Sequence, residues 1–391
     1  MPRSALYGRR FHITGSIVED ANIATVAEVT RAREFVKALV LDLLAKGATF
    51  VIPVDAEKNR ADGQPICFDW LVWDTIHGNL ARRPADAPGP LVIAVKHHKN
   101  EGQIPTEYRS VWDAMRVSPL VQIESAAHWN MASKRMEVQA QHGDVLIAVG
   151  GGEGVLFLAN LYHDAGKPVI PLNFGLGPAT TGASRLFDFG MSGSNAQRLF
   201  QTEGAATPQS WLNRIEMYEG KTASDGVRDV LGLLEDLVPP KAFVVRLLNP
   251  AHPDYNDVQS FFDVVVQPVI EGELGYKLTV IDGNQPYEHA RIDEEIFKKL
   301  HRSSVVLADI TGVRPNCFIE LGYALGRGLP TMLLSKDGTE SPFDIYSLSG
   351  HRWKTTGTAE ERRQEFRRHW NAIKSRPPLV APDPLIQIGR A

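Results

Sequence analysis

Short apolar runs rich in Val and Ile recur along the chain, separated by longer stretches with helical periodicity. In the first half, Phe11-His12-Ile13-Thr14 ends at Gly15-Ser16. Phe50 to Val54, Leu91 to Val95, Val145 to Val149 and Val169 to Leu172 read as further strands. A helical stretch passes through Val36 to Leu44 and stops at Lys46-Gly47, where a glycine suits the residue after a helix. In the second half the strands are Phe243 to Leu247, Lys277 to Ile281, Ser304 to Ala308 and Thr331 to Leu334, with helices expected over 258–270, 292–300 and 318–326. Fully apolar strands alternating with helices predict parallel sheets covered on both faces. The expected fold class is α/β: two doubly wound Rossmann-like domains with mainly parallel sheets, joined by a helical connector.

The boundaries follow from breaks in this pattern. The first domain runs over 9–195 and the connector over 196–240, ending at Pro239-Pro240. The second domain covers 241–375 and a Pro-rich tail 376–391. A unit of strand, loop, helix, Gly-x-Pro and strand occurs at 144–172 and again at 304–334. Doubly wound sheets contain such units in any case, so duplication is not required.

Composition narrows the function classes. Lys and Arg number 42 against 46 Asp and Glu, a net charge of −4, which argues against a broad nucleic-acid surface. The two cysteines, Cys67 and Cys317, form no CxxC, which excludes a cysteine zinc site and a disulfide framework. No apolar run is long enough to span a membrane, and Met1-Pro2-Arg3-Ser4 lacks a signal-peptide core. A cytoplasmic, reduced protein is expected, without membrane or nucleic-acid partners. His97-His98 and the other histidines show no HExxH spacing, so no metal site is expected, and no GxSxG elbow exists. Trp70 and Trp73, three apart, read as core.

Two stretches carry chemistry. Gly150-Gly151-Gly152-Glu153-Gly154 follows a strand and opens a helix. Glycines admit close backbone approach, and a helix N-terminus offers free amides and a positive dipole end, which together favour phosphate. The loop is neither GxGxxG nor a Walker A sequence; a tight turn is the alternative. In the second domain, Asp282 and Asp309 sit just past predicted strands, on the carboxyl edge where open α/β sheets bind ligands. Glu320 follows in Arg314-Pro315-Asn316-Cys317-Phe318-Ile319-Glu320-Leu321, about one turn inside a helix with Asn316 near its cap. A carboxylate among such apolar neighbours has a raised pKa or acts as a nucleophile. Carboxylates around a crevice suit N-glycosidic cleavage, whose transition state resembles an oxocarbenium ion. Strand-end turns and an exposed helical glutamate are the alternatives.

Met131-Ala132-Ser133-Lys134-Arg135-Met136, with the strand Asp144 to Val149 and the glycine loop, resembles the core of the LOG/DprA superfamily, which includes phosphoribohydrolases and SLOG sensor domains. Gly15-Ser16 resembles that family's first phosphate-side loop. The resemblance implies ligand contacts from Gly15, Ser16, Lys134, Arg135, Gly151, Gly152, Glu153 and Gly154. The family's catalytic Glu falls on Leu158 and its Thr on Val155, so binding without cleavage is implied, for instance of cyclic ADP-ribose isomers.

The stretch from Val305 to Gly326, containing Ala308-Asp309-Ile310-Thr311-Gly312 and Glu320-Leu321-Gly322-Tyr323-Ala324, resembles the nucleoside 2-deoxyribosyltransferase-like and TIR-like domains over about 241–355. That resemblance implies Glu320 as the catalytic residue and places the family's Asp on Asp309; Asp282, at its strand end, joins them as a catalytic candidate, and Arg246, Tyr255 and Asn316 are further candidates for lining the same pocket. Arg314 stands where the family has Asn, which bears on substrate choice. The two resemblances together imply an oligomeric anti-phage effector, switched on by a nucleotide second messenger, that cleaves an N-glycosidic bond in NAD or a related nucleotide and requires no cofactor. The alternatives are a non-catalytic nucleotide sensor or scaffold, and a constitutive deoxyribosyltransferase or nucleosidase.

Overall fold

The computed structural model describes residues 4–97, 100–126, 131–281, 292–340, 348 and 350–373. It divides into one unit up to Val238 and another from Pro239 onward.

The first unit has the order β1 (Arg10–Thr14), α1 (Val26–Ala45), β2 (Thr49–Val54), α2 (Asp69–His77), β3 (Val92–Lys96), α3 (Arg109–Met115), β4 (Val121–Ser125), α4 (Met131–His142), β5 (Val145–Val149), α5 (Glu153–Asp164) and β6 (Val169–Leu172). The helices α6 (Gly182–Met191), α7 (Ala196–Leu199), α8 (Pro208–Ile215) and α9 (Ala223–Asp236) complete it. The six strands are parallel, in the order β4-β3-β2-β1-β5-β6. The chain winds outward in one direction from β1 and returns to its other side at β5. The switch point between these strands opens a crevice at their carboxyl ends.

Local sequence explains the elements. Thr25 caps α1 by accepting the Glu28 amide, and Thr207 with Pro208 opens α8. Every residue of β2 and of β5 is buried, as expected for central parallel strands. Trp70 and Trp73 lie in the core, as read from sequence. Residues 196–238, expected as a connector, instead fold onto this unit. Leu212, Ile215, Val227, Val230, Leu233 and Leu234 join the core that buries α1. Prolines marked the end of the segment, but they did not reveal its apolar face.

The second unit has β7 (Lys241–Val245), α10 (Tyr255–Phe261), β8 (Lys277–Val280), α11 (Ile292–His301), β9 (Val305–Asp309), α12 (Pro315–Gly326), β10 (Thr331–Lys336), β11 (His351–Trp353) and α13 (Ala359–Ile373). After α10 the chain continues in π-helical turns over Phe262–Val266 and Pro268–Glu273. The strands are parallel, in the order β11-β10-β9-β7-β8. Alternation is strict. Ala242, Val244, Val305 and Leu307 bury one face with α10 and α13, while Phe243, Val245, Val306 and Ala308 bury the other with α12. Two edge strands, β4 and β11, were not expected. β4 is short and half-exposed, and β11 has only three residues. Asp282 and the Pro-rich tail lie outside the described residues. Among the described residues no helix is long and apolar enough to cross a membrane.

Candidate functional site

In the first unit, the carboxyl ends of β1 and β5 are locked together by backbone. The Gly151 amide donates to the Ser16 carbonyl at 2.7 Å, and Ser16 bridges Cys67. A Cβ on Gly15 would sit 1.8 Å from the Val149 carbonyl oxygen, and one on Gly150 would sit 2.6 Å from the Ser16 oxygen, both at positive φ. These glycines are required by the fold itself. Gly152 differs: a Cβ there meets nothing within 4 Å. It caps α5 and has no side chain to bond the first-turn amides. Val155 and Leu158 are buried, so this face of α5 is core.

The basic pair separates. Lys134 pairs with Glu137 one turn along α4, at 3.1 Å on a partly exposed face. Arg135 reaches Asp55, the residue just after β2, in a close ion pair. Asp55 also accepts from the Asn100 side chain at 2.5 Å.

Beside this pair lies an acidic group that sequence reading missed. Glu57 takes the Cys67 amide on Oε1 at 2.9 Å, while its Oε2 is enclosed without a partner. Asp69, at the start of α2, likewise has Oδ1 enclosed and unpartnered. Burial raises the Glu57 pKa against the pull of the Cys67 amide and Arg33. Burial, reinforced by Glu57 and opposed by Arg135, pushes Asp69 up to about 8. The signal was available in sequence: a carboxylate just after the second strand of a doubly wound sheet is where ribose hydroxyls are held.

In the second unit, β9 ends on Asp309, which is fully buried. Its Oδ2 accepts the Trp353 indole N–H at 2.7 Å and its Oδ1 accepts the Thr311 amide at 2.9 Å. Burial raises its pKa against those hydrogen bonds. Val245 pairs with Ala308, so Arg246 and Asp309 leave the sheet side by side. Arg246 lies 5.3 Å over the Phe262 ring, and its enclosed Nε has no partner.

The loop from Ile310 to Arg314 carries the positive-φ Val313, a strained conformation for a β-branched residue. Gly312 packs against His252 of the loop after β7. Arg314, not Asn316, is the N-cap of α12, and it makes no side-chain cap bond. Asn316 lies exposed in the first turn. Glu320 is half-buried; burial raises its pKa and Arg314 opposes the rise. Arg314 also acts on Asp309, and its enclosed Nε and Nη2 lack partners. The structure thus brings Asp309, Arg314 and Glu320 around Cys317, whose thiol feels all three charges. Tyr255 instead packs against the core on the α10 side. Lys336, at the end of β10, holds Asp254 and Asp257 at 2.6 Å each; sequence reading did not anticipate this cluster.

The family model described as ATP nucleosidase Cap17-like, N-terminal, matches residues 6–234. The chain belongs to that family. The match covers the whole β1–β6 sheet with its glycine loop and acidic group, and also α7, α8 and α9, in keeping with their place in the first unit's core. No curated protein matches the chain.

Proposed function

We propose that this protein is an N-glycosidase acting on a phosphorylated nucleoside, an effector of the anti-phage kind, with Glu320 as the carboxylate that stabilises or captures C1′. The observation that carries the reading is the half-buried Glu320 within the field of Arg314, whose enclosed Nε and Nη2 are unpartnered. Arg246, with its own unpartnered Nε, leaves the neighbouring strand. Two guanidinium groups with unpartnered nitrogens at the carboxyl edge of this sheet suit a substrate carrying phosphate rather than a bare nucleoside.

In this scheme the C1′–N bond breaks with its electron pair going to the base. Glu320 stabilises the cationic sugar, water adds hydroxide to C1′, and the remaining proton goes to the departing base. Asp309, with both oxygens already engaged, holds the loop that places Arg314. The family description makes ATP the first substrate to test, with NAD next. The first unit then holds a nucleotide at the Gly15–Ser16 and Gly152 loops, and a second messenger bound there switches the protein on, in an oligomer, by favouring the active state.

A second reading is favoured by Asp69 and Glu57. A carboxylic acid pushed up to about 8, beside a glycine loop in the family-matched unit, is suited to protonating a leaving base. Chemistry would then reside in the first unit.

The experiment is a chromatographic assay of the full chain with ATP, NAD and deoxynucleosides, each with and without cyclic ADP-ribose isomers and cyclic oligonucleotides. Release of adenine or nicotinamide that is lost in Glu320→Gln supports the first reading. Release that survives in Glu320→Gln but is lost in Asp69→Asn moves catalysis to the first unit. Nucleotide binding with no release under any condition leaves a sensor or scaffold.

A further inference from the structure

In the second unit, β11 and α13 bring together three side chains of metal-binding type. His351, Glu365 and His369 each place a ligand atom within 4.8 Å of the other two. Glu365 and His369, four apart on α13, share one helix face. His351 comes from the edge strand and is 2% exposed. Its Nδ1 is enclosed and has no hydrogen-bond partner. The ring lies among Phe261 and Phe366, with the His369 ring 4.6 Å away. An apolar side chain would fill that space without stranding a polar atom, whose enclosure is costly.

We propose that His351, Glu365 and His369 form a binding site for a zinc-class divalent cation that ties β11 to α13. Two imidazole nitrogens and one carboxylate oxygen are the donor set such ions select, leaving a fourth position for water. Metal–ligand bonds of about 2.0–2.2 Å require the three atoms to draw together. Glu365 supplies that movement, because its side chain is 40% exposed. Its ion-pair neighbour Arg368 is 4.0 Å away and 76% exposed. A surface pair of this kind contributes little to stability and yields to a bound cation.

The site has a consequence for the crevice. His351 and Trp353 lie on the same buried face of β11, and Trp353 is the donor that holds Asp309. A cation at His351 would fix the strand that fixes Asp309.

The test uses the full chain stripped with a chelator, then titrated with Zn²⁺ by calorimetry and with Co²⁺ as a spectroscopic probe. About one tight equivalent, a rise in melting temperature and the visible bands of histidine-bound Co²⁺ are expected. Glu365→Gln and His369→Ala should each weaken binding by more than about tenfold, a loss that even outer partners of metal ligands cause. Glu365 is half-exposed, so its variant tests the site even if His369→Ala folds poorly. No stoichiometric binding, or affinity unchanged in Glu365→Gln and in folded His369→Ala, overturns the proposal.

Discussion

Trp353 on the edge strand donates its indole N–H to Oδ2 of Asp309 at the end of β9, 2.7 Å away. The same indole stacks on Phe261 at 4.5 Å. Trp353→Phe keeps an aromatic ring on Phe261 but strands a buried carboxyl oxygen. It should destabilise the protein by about 1–3 kcal/mol, read from urea unfolding. An unchanged midpoint would mean that Asp309 finds another donor.

The glycines of the first crevice should divide into two classes. Gly15→Ala drives a methyl group into the Val149 carbonyl, so it should lower the yield of folded protein or the melting temperature sharply. Gly152→Ala meets open space at negative φ and should leave stability nearly unchanged. Its effect should fall on nucleotide affinity, measured by calorimetry with ATP. A Gly152→Ala protein that binds ATP as tightly as the parent would remove the helix α5 terminus as the phosphate site.

Asp69 gives a stability test with a defined sign. Burial lifts its native pKa to about 8, above that of an unfolded Asp. Its stabilising contribution is therefore complete below the unfolded value and is lost as pH rises through the native one. Buried His12 and His142, lowered to about 3, act in the opposite sense: their contribution is present above the unfolded histidine value and is lost as pH falls. Comparison with Asp69→Asn isolates the carboxyl. Between about pH 5 and pH 8 the parent should lose stability relative to this variant, with a slope no steeper than about 1.4 kcal/mol per pH unit. Parallel pH profiles would place Asp69 in ordinary solvent contact.

Both parallel sheets were legible because their central strands are apolar on both faces, so Val145–Val149 and Val305–Asp309 stand out from any neighbour. β4 and β11 were not, since an edge strand of three to five residues with one wet face carries little signal. The glycine loop was legible as a feature but ambiguous in meaning. Only geometry separates Gly15 and Gly150, which the backbone contacts demand, from Gly152, which they do not. Glu320 was singled out through its place in a helix and through its motif. Glu57 and Asp69 were missed because a loop of a dozen residues separates them in sequence, and the fold closes that loop through the Asn59–Pro65 bridge. Arg314 was noticed as a departure from a pattern; its unpartnered nitrogens and its electrostatic pull on both carboxylates emerge only from the fold.

The electrostatic pull of Arg314 on Glu320 makes the final prediction directional. If Glu320 acts as a carboxylate, turnover rises with pH through its raised pKa. Arg314 opposes that rise, so Arg314→Ala should move the rising limb of the pH–rate profile to higher pH and raise KM for phosphorylated substrates more than for nucleosides. Glu320→Gln should lower kcat on the order of 10²- to 10⁴-fold with little change in melting temperature, since the side chain is only half-buried and no hydrogen bond of the fold depends on it among the described residues. A limb that stays in place in Arg314→Ala would show that the titrating group is another carboxyl, and Asp69 would be the next to substitute.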